Sequence, residues 1–581
     1  MCQLGRDLTA RKRCVIKRIC SCISFGFLLL SASAQLRSQC TAPPSAADED
    51  DSAVGSTYVP LDSWIYPALT RLQALGQLDT AYLGMRPWTR MSIVRMLEAG
   101  SDKIGDVAED SDACGIYLSV WEELKPDMER LENPQQPHAG VDTVYTGLLG
   151  ISGTPLRDSY HLGQSIVNDY GRPYQGGFNT SDGFSADAGR GRFTLYFRGE
   201  YQHAPAAAGY SAGLAQQLSE IDLIPFATNP KQDTIPQGPI FSANNTRIIE
   251  AYASFLILNH EISFGKSDHW LGPDQGGSFA WSNNADNIYS FQIDRVEPLS
   301  IPLLSRLTGP FRYQFFVGSL QGHTSPNAPW IHTEKISFKP TANLEFGFER
   351  SVIWGGKGHV PITVGSFLHS FFSFQNVSAA EKVSRNDPGA RFGTFDFSYR
   401  LPYMRQWLTL YTDSLAHDDV SPISAPRRAG IRPGLYLSHF PKIHQLDFRV
   451  EAVSTDPPTS RSNSGEFLYW EQIQKQGYTN KGFILGDWIG RESKGGQAWL
   501  TYHLSPSEQI QLEYRNAKAA KDFIPGGTTQ NSFQISAVKR VGKQFEVSGW
   551  VQLEQWKAPV YQPNRQSDVG TAVQLTWYPQ H

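Results

Sequence analysis

Residues 192–201 read Arg-Phe-Thr-Leu-Tyr-Phe-Arg-Gly-Glu-Tyr. One face of this stretch carries Phe193, Leu195, Phe197, Gly199 and Tyr201, the other Arg192, Thr194, Tyr196, Arg198 and Glu200. A period of two means a strand with one apolar and one polar face. The pattern recurs outward along the chain. Leu344, Phe346 and Phe348 alternate with Glu345 and Glu349, and Phe395, Phe397 and Tyr399 with Asp396, Ser398 and Arg400. Leu446, Phe448 and Val450 alternate with Asp447, Arg449 and Glu451, and Ile510, Leu512 and Tyr514 with Gln511, Glu513 and Arg515. In a soluble sandwich the polar face would meet water; in a membrane barrel the apolar face meets lipid and the polar face lines a lumen. Three features favour the barrel. The segments are about 9–12 residues long, close to what crosses a bilayer. There are about sixteen to twenty of them, too many for one soluble sheet. The last, with Val569, Thr571, Val573, Leu575 and Trp577 on one face and Tyr578 after them, is an amphipathic, aromatic-ending strand of the kind the barrel assembly machinery reads, although Pro579-Gln580-His581 follow it.

The totals agree. Of 581 residues 19% are charged and 12% aromatic, with 51 glycines, a composition of strands and turns. Mean hydropathy is −0.36, and past the N-terminus no run approaches the ~20 apolar residues of a spanning helix. The N-terminus reads as a secretory signal: Arg6, Arg11, Lys12, Arg13, Lys17 and Arg18 precede an apolar stretch from Ile19 to Leu30, and Ala32-Ser33-Ala34 offers a cleavage site. A retained membrane anchor is the alternative. Cleavage after Ala34 leaves 46 basic and 55 acidic residues, a net charge of −9, which argues against nucleic acid as a partner. It also leaves only Cys40 and Cys114, which an oxidising compartment could join or leave as separate thiols.

Residues 35–57, rich in Ser, Pro, Ala and Asp, read as a disordered linker. Residues 58–135 read as a small helical domain. Leu69, Leu72, Leu75 and Leu78 recur near helical spacing, Thr89 is an expected N-cap, and Gly100 an expected stop. Tyr117, Val120, Trp121, Leu124, Met128 and Leu131 form an amphipathic stripe that Pro126 should kink or shorten. The barrel follows over 140–581. Short connections are expected near Asn259-His260 and Ser505-Pro506-Ser507. Long ones are expected at roughly 153–190, 204–245, 267–287, 355–390, 413–430, 454–495 and 517–530, with a short helix near Leu214 to Ile221.

No strong catalytic motif is present and no cofactor or metal is expected. Asp268-His269 could serve as an acid/base pair, but the dipeptide alone is weak evidence. The stretch Gly265-Lys266-Ser267-Asp268-His269-Trp270-Leu271-Gly272-Pro273, followed by Trp281-Ser282-Asn283-Asn284-Ala285-Asp286-Asn287, mixes Trp, Asn, Asp and Gly. Carbohydrate sites use this mixture, because aromatic faces stack on sugar rings and planar amides and carboxylates bind paired hydroxyls; on chemistry alone the usual turn residues of a barrel loop or lumen constriction are the simpler reading. Arg385, Asp387 and Arg391, and Trp488 with Arg491, have similar character, and their guanidinium groups could meet the carboxylates of an acidic polysaccharide or pair with lumen Asp and Glu. The candidate ligand-binding set is therefore Asp268, Trp270, Trp281, Asn283, Asn284, Arg385, Asp387, Arg391, Trp488 and Arg491.

The stretch GKSDHWLGPDQGGSFAWSNNADN resembles the G-x-x-x-x-W-G-P … S-N-N-A signature of the capsule assembly Wzi family, with Leu271 inserted and Asp286 following the Asn-Asn-Ala. YVPLDSWIYPALTRLQALGQLD and GMRPWTRMSIVRMLEAG resemble its helical region, and RFTLYFRGEYQ and NDPGARFGTFDFSYRL its strands. The resemblance implies an outer-membrane barrel of about eighteen strands with a periplasmic helical bundle. It further implies a lectin-like, non-enzymatic role in holding capsular or extracellular polysaccharide at the cell surface, with outer-membrane lipid around the barrel. PALTRLQALGQLD and RPWTRMSIVRML also resemble an S-layer-homology module, which implies instead a diffusion porin tethered to the cell wall. A barrel hydrolase is the third reading.

Overall fold

The structure, a computed structural model, describes residues 38–41, 54–226, 233–375, 377–417, 428–457 and 464–579. The expected signal peptide lies outside the described residues, as does 42–53 of the expected linker.

Eighteen antiparallel strands form one closed sheet. In chain order they are β1 (His138–Ser152), β2 (Gly177–Arg190), β3 (Phe193–Ala204), β4 (Ala243–Ile257), β5 (His260–Lys266), β6 (Tyr289–Arg295), β7 (Phe311–Ser319), β8 (Trp330–Thr341) and β9 (Leu344–Trp354). The ring continues through β10 (Ala390–Arg400), β11 (Leu408–His417), β12 (Ala429–Leu437), β13 (Leu446–Ser454), β14 (Ser493–Ser505), β15 (Glu508–Ala519), β16 (Thr528–Val541), β17 (Phe545–Ala558) and β18 (Gln562–Trp577). Val144 of β1 stands opposite Trp577 of β18 on one side and Phe184 of β2 on the other, so no edge is left open. No helix among the described residues is long and apolar enough to cross a membrane.

The alternation read from residues 192–201 is inverted relative to a soluble protein. Phe193, Leu195 and Tyr201 are each 44% exposed on the outside, whereas Thr194, Arg198 and Glu200 are buried inside. One strand was hidden from the sequence pattern. Residues 177–190, expected within a long connection, are β2. Its large apolar residues are only Phe178 and Phe184, both outward, while Asn179, Ser185 and Asp187 are buried inside. So few large side chains leave no apolar stripe to detect. The expected helix in the next long connection is present as α5 (Ala212–Asp222).

Connections alternate around the ring. At one end most are tight, the exception being 296–310 between β6 and β7. Leu258 and Asn259 between β4 and β5 both take positive φ, 49° and 59°, the backbone of a type I′ hairpin. At the other end most are long, the exception being 559–561 between β17 and β18. The helices pack at the short-turn end: α1 (Ile65–Ala74), α2 (Arg90–Gly105), α3 (Asp112–Glu123) and α4 (Lys125–Glu132). Thr89 caps α2 by accepting from the Ser92 amide. Gly100 does not stop that helix, which runs on to Gly105. Its role is close approach, because a Cβ there would come within 3.1 Å of the Gln77 carbonyl oxygen. The stripe through Tyr117 and Leu131 breaks between α3 and α4 at Leu124, two residues before Pro126. Leu69, Leu72, Leu97, Tyr117 and Val120 share one core.

Part of the expected linker belongs to this core. Cys40 is buried and disulfide-bonded to Cys114 of α3, and its amide donates to the Val107 carbonyl. Val54 to Thr57 are buried as well. The bundle is fastened to the short turns of the barrel. Arg71 donates to the His444 carbonyl at 2.6 Å, Arg400 to the Gln73 carbonyl at 2.7 Å, and Lys543 pairs with Glu122 at 2.9 Å.

Reduction of the Cys40–Cys114 bond, or Cys114→Ser, should destabilise the helical cap by about 2–4 kcal/mol and leave the sheet intact. Thermal melts followed by circular dichroism with and without reductant check this: the helical transition should move down and the strand transition should stay in place.

Candidate functional site: a half-plugged lumen

Three long connections turn back into the barrel. Residues 153–176 supply Tyr160, residues 267–288 supply Leu271, Phe279 and Trp281, and residues 455–492 supply Tyr469, Tyr478 and Trp488, to one apolar cluster. It is completed by inward-facing strand residues Phe316, Ile331, Ile353, Phe392, Leu415 and Val453. The plug therefore leans on the wall from β7 to β13. Polar bonds tie it down. Asn284 donates to Ser159 Oγ and the Ile484 carbonyl, and its Oδ1 accepts from Gln164. Asp286 is held between Lys266 at 2.7 Å and Lys481 at 2.6 Å. Arg432 of β12 grips Asp487 through two nitrogens at 2.6 and 2.8 Å and Glu451 at 2.9 Å. From the helical end, the chain before α1 also reaches into the lumen. Leu61 donates its amide to Asp268 at 3.1 Å, and Asp62 pairs with Arg198 at 2.6 Å.

This arrangement reassigns most of the sequence-nominated residues. Asp268 accepts from Leu61, Tyr170 and Asn287, and so ties three segments together. Neither ring nitrogen of His269 has a partner; the ring lies 3.9 Å from that of Phe316, nearly parallel. Burial with no compensating bond pushes His269 down to about 3. Asp268 and His269 thus make no acid/base pair. Trp281 is 2% exposed and donates its indole N–H to Thr333, so it is core rather than a stacking platform. Trp488 is equally buried, its indole N–H on Gln497 and the Arg515 guanidinium over its ring. Asn284 is fully enclosed, and Arg491 is buried against Asp222 at 2.7 Å. Arg385 and Asp387 belong to a separate loop, and Arg391 stands at the start of β10. Arg385 is exposed, Asp387 bonds His359, and Arg391 donates to the Gln375 carbonyl.

Trp270 and Asn283 are different. Both line a cavity of about 550 Å³ beside the plug, within the ~300–1,000 Å³ range of small-molecule sites. One face of Trp270 is covered by the Arg86 guanidinium, 5.1 Å from the ring centroid. The opposite wall of the cavity is β14–β18 with β1 and β2. It presents the amides of Gln497, Gln511, Gln534, Gln552, Gln574 and Asn179, the rings of Trp499 and Trp550, and the Glu513–Arg515 pair of charges. Asn168 Oδ1, Asn283 Oδ1 and Arg515 Nε, on three of the lining residues, are buried without a hydrogen-bond partner. Sequence reading passed over this wall. The signal was there: glutamines recur at inward positions of the last five strands, at Gln497, Gln511, Gln534, Gln552 and Gln574.

The model of the family described as capsule assembly protein Wzi matches residues 150–570. The chain belongs to the capsule assembly Wzi family. A solved member described as Wzi, an outer membrane protein involved in group 1 capsule assembly in Escherichia coli and a carbohydrate-binding β-barrel, superposes with a TM-score of 0.64 at 18% identity, over 90% of this chain and 99% of that one. An uncharacterized 55.8 kDa protein in the cps region of Klebsiella pneumoniae is 27% identical over 190 residues. That match covers 32% of this chain and 36% of the relative. The eighteen-strand Wzi-type barrel with helices at its N-terminal end is therefore the fold of this chain.

Within this Wzi-family barrel, the long connections are clasped to one another by a buried charged cluster. His161 donates through Nδ1 to Asp158 at 2.9 Å and through Nε2 to Asp222, at the end of α5, at 2.6 Å. Asp222 also takes Arg491, Asp158 takes the Tyr210 hydroxyl, and all four charged groups are enclosed. Burial disfavours the charged imidazole, but the two flanking carboxylates more than offset it and raise His161 to about 9. Because the folded value lies above the ordinary 6.5, the clasp's contribution is complete below about pH 6.5 and is lost as pH rises through about 9.

Protease cleavage in the connections 153–176 and 205–242 should accordingly rise between pH 7 and pH 10, and His161→Gln should raise it already at pH 7 and flatten the profile. Trp281→Ala should cost stability of about 3–5 kcal/mol, read as a lower melting temperature of the folded barrel.

Proposed function

We propose that this barrel binds capsular or extracellular polysaccharide at the surface of the bacterial outer membrane and so helps to assemble or anchor it, with no reaction catalysed. The observation that carries this reading is the cavity. Its wall of neutral amides, with Trp499, Trp550 and Trp270, matches what sugar hydroxyls and ring faces need. Its unpartnered Asn168, Asn283 and Arg515 atoms offer bonding capacity that the fold itself leaves unused. The family's name and the carbohydrate binding of the Escherichia coli relative point the same way. In this reading the long connections face the cell exterior and the helical domain sits in the periplasm, where the Cys40–Cys114 bond is chemically at home. The barrel is inserted by the barrel assembly machinery and ringed by outer-membrane lipid.

Binding of purified barrel to polysaccharide from the parent strain tests this. Trp550→Ala combined with Gln534→Ala should weaken retention about tenfold, a loss of about 1.4 kcal/mol, with the melting temperature nearly unchanged. Trp281→Ala should act on stability first. Undiminished retention in the double variant removes the cavity from the proposal; no retention by the parent barrel, together with steady ion conductance in planar bilayers, replaces the lectin with a porin.

A further inference from the structure

A helix from one long connection lies against the outside of the barrel. Residues 355–375 leave β9 at the long-connection end and fold down over the outer wall, placing a helix, α6 (Val364–Phe371), against the outward faces of β7, β8 and β9. The helix covers a group of polar residues at positions where a barrel normally meets lipid. Outward His332 is fully buried, bonded through Nδ1 to Glu334 and through Nε2 to Ser370 Oγ at 3.0 Å. Outward Arg350 donates to the carbonyls of Phe371 at 2.7 Å, Ser370 at 2.8 Å and Ser373 at 3.1 Å. A guanidinium at a helix C-terminus also meets the negative end of the helix dipole.

At 100° per residue the helix divides into three sectors. Phe367, Ser370 and Phe371 face the barrel, where the two rings meet Phe315, His332 and Trp354. Gly365, Ser366 and His369 form a polar edge. The third sector, Val364, Leu368 and Phe372, is 75%, 45% and 64% exposed, with the Phe372 ring meeting that of Phe371 edge-on. It continues the lipid-facing surface of the strands beneath it, beside outward Trp330, 36% exposed, a residue of the kind found at barrel–headgroup boundaries; the cross-strand neighbour Trp354 is buried beneath the helix. We propose that α6 is an interfacial membrane helix: its Val364–Leu368–Phe372 face lies in the acyl chains of the leaflet on the long-connection side, its Ser366–His369 edge faces the headgroups, and it seals Arg350, His332 and Glu334 from lipid. The continuity with the lipid belt is what selects acyl chains over a second copy of the chain.

Nitroxide labels test this on the full barrel in phospholipid vesicles, with folding verified by heat-modifiable migration. Leu368→Cys, or Val364→Cys should the first variant fail to fold, should collide with oxygen several-fold more than with a water-soluble nickel chelate. Ser366→Cys should show the reverse order. Preferential nickel access at residue 368 overturns the proposal in favour of a water-exposed loop. Low access to both probes at 368, with label–label broadening that grows with protein density, overturns it in favour of contact between copies.

Discussion

Every backbone N–H and C=O that crosses hydrocarbon must find a partner within the protein, and the pairing of β1 with β18 is what satisfies that demand around the whole ring. Closure fixes the alternation of each strand, because a register slip of one residue would turn its charges to lipid and its phenylalanines to the lumen. The price of the arrangement is an interior crowded with polar side chains, and the rest of the molecule is organised around them.

The two halves of the lumen meet that demand differently. From β7 to β13 the inward positions include Lys335, Asp396, Arg432 and Glu451, and isolated charges in an enclosed space need counter-charges. Lys335 takes Asp396 from a neighbouring part of the wall, whereas Arg432 takes Asp487 from the plug. Charge pairing and the apolar cluster around Trp281 therefore hold the folded-in connections to that side. From β14 to β18 the cavity wall mixes the amides of Gln497, Gln511, Gln534, Gln552 and Gln574 with the charges of Glu513 and Arg515. Amides need hydrogen bonds but no counter-ion, so the stretches they line can stay open and hydrated beside the plug.

The long connections are structural parts as much as surface loops. Asp268 joins three chain segments, and Asn284 saturates its amide inside the plug. The helical cap closes the opposite end and sends Leu61, Asp62 and Arg86 into the lumen to meet the plug. Arg86 and Trp270 exchange two backbone hydrogen bonds, so cap and plug form one continuous packed body through the barrel.

Alternating strands, the Thr89 cap of α2, the break between α3 and α4 near Pro126, and the short hairpin near Asn259 were legible from the amino-acid order, because each depends on neighbours within a turn or a pleat. Strand β2 was not, since small residues carry no periodic signal, and Gly100 misled because its reason is a contact with Gln77 rather than a helix end. The Wzi-like stretch around Trp270 and Trp281 was recognisable, but its use was not. Tryptophan and asparagine serve a sugar site and a buried plug with the same chemistry, and what distinguishes them is whether Thr333, Ile484 or Arg86 has already taken the free face or donor. The sequence by itself determined the barrel, its polarity and its family. Only the tertiary structure decided which polar residues are spent on holding the plug and which still face open space, because that depends on partners brought together from distant strands and loops.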